Sequence, residues 1–124
     1  MKKFILTAIV LVAAIFTNQL TAQTEAPKTV KLVQVEKEFT TKSITLKSGN
    51  YIFEVLNDGV DKELGFVIAP KGKTEQKNHI PEAYLVKTVK NGESAQSKVV
   101  TLEKGEYVYF CPLNPTPIYT LIVN

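Results

Sequence analysis

Short runs of β-branched, aromatic and aliphatic residues, each closed by a turn signal, recur along this chain and leave little room for any other secondary structure. Residues 30–35 (VKLVQV) form the first run. Ile44 and Leu46 mark a second, which stops at Lys47-Ser48-Gly49-Asn50, and residues 51–56 (YIFEVL) form a third, which stops at Asn57-Asp58-Gly59. Residues 64–69 (LGFVIA), 95–102, 107–111 and 119–123 follow, with Asn91-Gly92 and Lys104-Gly105 as further breaks. Branched and aromatic side chains suit a pleated surface, while Gly and Asn supply the backbone angles of tight turns. Turns at roughly 8–12-residue spacing predict an all-β Greek-key sandwich of about seven strands. The LGFVIA run is apolar enough to be buried on both faces. Residues 70–81 are the one long irregular stretch; they carry Lys71, Lys73, Lys77 and the sole histidine, His79. Residues 82–89 fit one turn of helix or a loose edge strand equally well.

The first residues do not belong to this pattern. Lys2 and Lys3 precede an uncharged apolar run over residues 4–17, and a more polar tail follows, ending at the small residue Ala22. This is the three-part layout of a secretory signal. The run is about 14 residues, short of the ~20 that a transmembrane helix needs; a short signal anchor is the competing reading. Cleavage after Ala22 leaves Gln23 first, and no cysteine lies near the boundary to carry a lipid anchor. The expected organisation is a signal peptide over 1–22, a short leader over 23–29 and one domain over 30–124. The exported chain has a periplasmic or secreted destination and no membrane span of its own.

About 102 residues then remain, enough for one core. Of the 15 basic residues, all lysine, two lie in the signal, so 13 face 12 acids and the mature balance is +1. A near-neutral chain without arginine lacks the bidentate groups that read phosphates and bases, which excludes a nucleic-acid binder. The single cysteine, Cys111, makes no internal disulfide. It is buried and inert, paired with another molecule, or bound to something.

Three segments together resemble the cupredoxins, the small blue-copper β-sandwich proteins, and in particular their short-loop, amicyanin- and plastocyanin-like members. Residues 39–59 (FTTKSITLKSGNYIFEVLNDG) are similar to the N-terminal half of that fold. Residues 64–70 (LGFVIAP) sit where the family usually has a histidine followed by an apolar strand. Residues 102–111 (LEKGEYVYFC) are similar to the Gly turn and Tyr-rich strand that end on the copper cysteine. The resemblance implies a sandwich fold and, where the ligands are kept, a type 1 copper centre.

That centre needs two imidazoles and a thiolate, often with a weak axial Met. The mature chain has one His and no Met, since Met1 leaves with the signal. Laying residues 111–124 (CPLNPTPIYTLIVN) on the family's Cys-x2-His-x2-Met loop puts Asn114 at the His position and Pro117 at the Met position. The other imidazole position falls on Leu64, or on Glu63 if the register slips by one. Of the expected ligands only Cys111 remains. The resulting expectation is a cupredoxin-like domain with no cofactor, acting as a non-catalytic binding or accessory module. Its partner is unidentified, and the patch at the Cys111-loop end, Leu113, Pro115 and Ile118, is the candidate surface for a protein. The alternative is copper held by Cys111 with His79 and Glu63, or with a second chain. No acid–base or nucleophile constellation accompanies Cys111, which argues against an enzyme. Alternation along the strand puts Tyr107, Tyr109 and Cys111 on one side, and Phe110 on the other beneath the 70–81 stretch. Pro112, Pro115 and Pro117 stiffen the loop. An inward Asn114 is expected to serve the loop backbone, and Leu64 to pack against Leu113 or Ile118.

Overall fold

The computed structural model describes residues 26–124; the signal reading of residues 1–22 lies outside the described residues. The chain forms β1 (Lys28–Val35), β2 (Glu38–Phe39), β3 (Ser43–Leu46), β4 (Gly49–Asn57), β5 (Val67–Pro70), β6 (Ser94–Gln96), β7 (Val100–Leu102), β8 (Gly105–Phe110) and β9 (Tyr119–Val123). One sheet runs β2-β1-β4-β6, with β7 also on β4; the other runs β3-β9-β8-β5. The all-β sandwich expected from the strand rhythm is the fold. Two pairings are parallel, β1 with β4 and β3 with β9. Both join segments that are distant in sequence, as Greek-key connections require.

The core lies between the sheets and follows the period of two. Leu32 of β1, Phe53 and Val55 of β4, Tyr109 of β8 and Leu121 of β9 are all buried. Phe39, Phe53, Phe66, Tyr109 and Tyr119 fill its centre, with edge-on contacts around Phe39 at centroid distances of 6.0, 5.5 and 5.9 Å. Such pairs add to the burial of their area. The inward phase also carries two amides. Gln34 follows Leu32 on β1, and Asn57 follows Val55 at the end of β4; both are fully buried.

Four sequence expectations change in detail. β1 begins at Lys28 rather than Val30, taking two residues of the stretch read as leader into its ladder with β4. Residues 64–69 are not one strand: β5 begins at Val67, and Leu64 instead makes an isolated bridge to Val89. The run is nevertheless buried on both faces, as its composition implied, with Leu64, Phe66, Val67, Ile68 and Ala69 all inside. Residues 82–89 share the two expected forms rather than taking one, since a single 3-10 turn over Pro81–Ala83 is followed by isolated bridges from Leu85 and Val89.

The fourth change is the run 95–102, which splits into β6 and β7. On β4, Glu54 faces Gln96, while Tyr51 faces Val100. Two residues of β4 thus oppose three of the partner, the signature of a β-bulge. Ser97 sits there, accepting the Phe53 amide on its hydroxyl at 2.9 Å and donating its own amide to the Phe53 carbonyl at 2.8 Å.

Candidate functional site

The ends of β1, β4 and β8 and the starts of β5 and β9 meet at one pole, around Cys111. Cys111 follows the last residue of β8 and is turned inward, 4% exposed. Its Sγ accepts two backbone amides, from Gly65 at 3.4 Å and Asn114 at 3.2 Å. The loop beyond it is stapled by Thr116. That hydroxyl accepts the Cys111 amide at 3.0 Å, and the Thr116 amide donates to the Asn114 carbonyl at 2.6 Å.

Asn114 does not serve the loop, contrary to the sequence expectation. Its side chain is fully buried and crosses to the other sheet. Nδ2 donates to Gln34 Oε1 at 3.0 Å and to the Val35 carbonyl at 3.2 Å, while Oδ1 accepts the Lys37 amide at 3.2 Å. Gln34 Nε2 in turn donates to the Gly65 carbonyl at 3.0 Å. Asn57 works alongside on its own loop, donating Nδ2 to the carbonyls of Val60, Lys62 and Val89 and accepting the Val60 amide. Among the described residues no buried side-chain nitrogen or oxygen lacks a partner. The sequence reading does not single out Gln34, and takes Asn57 only as a turn residue that closes its strand. Each is in phase with the apolar inward positions of its strand, and a polar residue on that phase is the signal that finds it.

Leu64 is fully buried in the core. Leu113 and Ile118 are not packed inward on it as expected; they stand 49% and 56% exposed, and Pro112, Pro115 and Pro117 are exposed beside them. Pro112 backs onto Gly65, where an added methyl would lie 3.5 Å from its ring. A shallow, largely apolar groove runs between Pro112 and Leu113 on one side and Tyr84 and Leu85 on the other.

His79 belongs to the opposite side of β8. Its ring meets Phe110 edge-on at 5.8 Å between centroids, which places Phe110 beneath the 70–81 stretch, as the alternation predicts. Nε2 lies 2.9 Å from the Thr74 carbonyl and Nδ1 2.8 Å from the Tyr84 hydroxyl. A carbonyl only accepts, so Nε2 donates to Thr74, and in that tautomer of the neutral ring Nδ1 is the acceptor for Tyr84. Both ring nitrogens are engaged, one by the 70–81 stretch and one by Tyr84 just beyond it. Glu63 Oε1 accepts the Thr88 hydroxyl. Among the described residues no three His, Cys, Asp or Glu side chains converge on a point where a metal ion would sit.

The sequence matches the family described as a cupredoxin-like domain over residues 7–123. The chain belongs to the cupredoxin-like family. Among solved structures, auracyanin A, a "blue" copper protein of Chloroflexus aurantiacus, superposes with a TM-score of 0.65 at 16% identity, covering 80% of this chain and 100% of its own. An azurin of Methylomonas sp. strain J gives 0.56 at 18% identity, covering 80% and 99%. Amicyanin from Paracoccus versutus gives 0.51 at 18%, covering 83% and 88%. At these identities the likeness is one of fold. Among curated proteins, none matches the sequence.

A type 1 copper ion does not fit the donors at this cupredoxin-like pole. The sulfur is present, but Asn114 has its amide nitrogen and oxygen committed to β1 and the turn after it, Leu64 offers only carbon, and Pro117 has no side-chain donor. The groups beside the thiol are a backbone cradle and a pair of amides, an arrangement suited to holding a shape.

Proposed function

We propose that this protein is an exported cupredoxin-like domain that has given up type 1 copper and acts as a non-catalytic binding or accessory module. One observation carries the reading. Asn114, which the loop resemblance lays on the family's imidazole position, is turned into the interior and spends its side-chain hydrogen bonds there. The N-terminal layout of residues 1–22 supports export to the periplasm or the medium. The partner is a protein met by the 111–118 loop face, where Leu113, Pro115 and Ile118 are exposed together. Among the described residues no helix is long and apolar enough to cross a membrane.

The experiment is a Cu(II) titration of protein recovered from the exported fraction, whose first residue is expected to be Gln23. The expected outcome is no strong visible absorption at one equivalent. An intense thiolate-to-copper band that disappears in Cys111→Ser would refute the reading, because it requires a short sulfur–copper bond and a completed ligand set.

A further inference from the structure

Three segments that are distant in sequence converge at the Cys111 pole: the end of β1 with the turn after it, residues 64–65 ahead of β5, and the 111–118 loop. A metal ion with ligands from separate loops ties such segments at one point. Here the donors do not fit that ion, and the loop's own aliphatic and proline side chains are largely in solvent, so burial of the loop does little to hold it down. We propose that the buried pair Gln34 and Asn114 takes the place of the metal as the cross-link of this corner. The proposal rests on the copper-free reading above and says what holds the presented face in shape.

The geometry is a closed triangle. Asn114 ties the loop to β1 through Gln34 Oε1 and the Val35 carbonyl. Gln34 ties β1 to the Gly65 carbonyl. The Gly65 amide ties that segment back to the loop through Cys111 Sγ. Each pair of segments therefore has a direct bond, as it would through a shared ion. The links are directional, whereas an apolar filler in the same space would fix volume without fixing angle. Burying two primary amides is costly unless they are paired, and here one bond joins them while the backbone of Val35, Lys37 and Gly65 takes up their remaining groups.

The turn after β1 gives independent support. Lys37 has φ 63°, a left-handed conformation that a side chain with Cβ seldom takes. Its amide points at Asn114 Oδ1, 3.2 Å away. Strained backbone of this kind persists where its surroundings over-determine it. The Asn114 carboxamide thus holds the strained turn on one side and the strand on the other.

Amide hydrogen exchange on the full exported chain tests this, with wild type, Asn114→Ala and Gln34→Met compared in EDTA and with one equivalent of Cu(II). Methionine keeps the length of Gln34 and leaves the β1 ladder intact, so this variant decides the matter if Asn114→Ala fails to fold. The relay predicts equal protection of residues 64–65 and 111–118 in wild type with chelator or copper. Either variant should speed exchange there by roughly tenfold or more, as loss of one or two net hydrogen bonds implies, with β3 and β9 unchanged. Wild-type-like exchange in Gln34→Met, or protection in wild type that collapses in EDTA, overturns the relay. The copper-free reading fails separately, by the appearance of a thiolate-to-copper band whatever the variants do.

Discussion

Tyr109 is buried between the sheets, and its hydroxyl reaches the loop between β2 and β3. Its ring is fully buried, with Tyr119 and Phe39 at centroid distances of 5.3 and 5.5 Å, and the hydroxyl donates to the Thr41 carbonyl at 2.6 Å. Burial, and to a lesser extent the neighbouring Tyr119, pushes the phenol up to about 12. The folded state thus disfavours the ionised form, while an unfolded tyrosine loses its proton near the ordinary value of about 10. Below the unfolded value both states are protonated and the contribution of Tyr109 is complete. As pH rises from about 10 towards about 12, the unfolded chain alone releases the proton, and stability falls. Tyr109→Phe should flatten this alkaline limb when urea midpoints are followed across the window. At neutral pH it should cost on the order of 1 kcal/mol for the lost hydrogen bond. The other tyrosines are common to both proteins and drop out of the comparison, so parallel alkaline limbs would contradict the assignment. Cys111 is the opposite case among the buried polar atoms: it acts as an acceptor, with two amides aimed at its sulfur. Its identity was plain in the sequence, but those amides were not, because backbone donors leave no trace in residue type.

At the scale of elements, the strand rhythm locates β1, β3, β4, β8 and β9 to within a few residues, because each has an inward apolar phase, and β3, β4 and β8 also have a Gly or Asn turn beside them. It merged β6 with β7, because a bulge needs only one extra residue and Ser97 does not interrupt the apolar alternation strongly enough to announce one. It also passed over β2, whose two residues are too few to show a period. The bulge is held by one side chain. Ser97 is buried, and its hydroxyl accepts the Phe53 amide while donating to the Lys98 carbonyl at 2.7 Å. Ser97→Ala leaves the buried Phe53 amide without an acceptor, a loss of about 1–3 kcal/mol. Ser97→Thr keeps the hydroxyl and is expected to retain most of the stability. Urea denaturation of both variants checks this. An alanine variant as stable as wild type would mean that the bulge supplies another acceptor to Phe53.

For the whole molecule, the legible and illegible parts of the site divide along the same line as local and non-local contacts. Counting histidines and measuring the 111–118 loop were possible from the sequence because ligand identity and spacing are local. The destination of Asn114 was not, since Gln34, Val35 and Lys37 lie on the far side of the chain and only the closed sandwich brings them near. That closure depends on the last strand. β9 sits inside its sheet between β3 and β8, with Ser43 facing Thr120 and Tyr109 facing Tyr119. It also sends Tyr119, Leu121 and Val123 into the core. Three such side chains, at about 1.5–3 kcal/mol each, are together on the order of 5–9 kcal/mol. A domain of this kind has about 5–15 kcal/mol in total. Without β9, moreover, β3 loses the one strand it pairs with among the described residues, and the inner edge of β8 is left open. A chain ending at Ile118 is therefore expected to lack a cooperative urea transition and near-ultraviolet circular dichroism. A chain starting at Lys28 keeps the whole β1 ladder and should retain both. A cooperative transition in the chain that ends at Ile118 would show that the sheet holding Cys111 closes without its central strand. The bonds from Asn114 to β1 would then have to form without β9 to complete the sandwich.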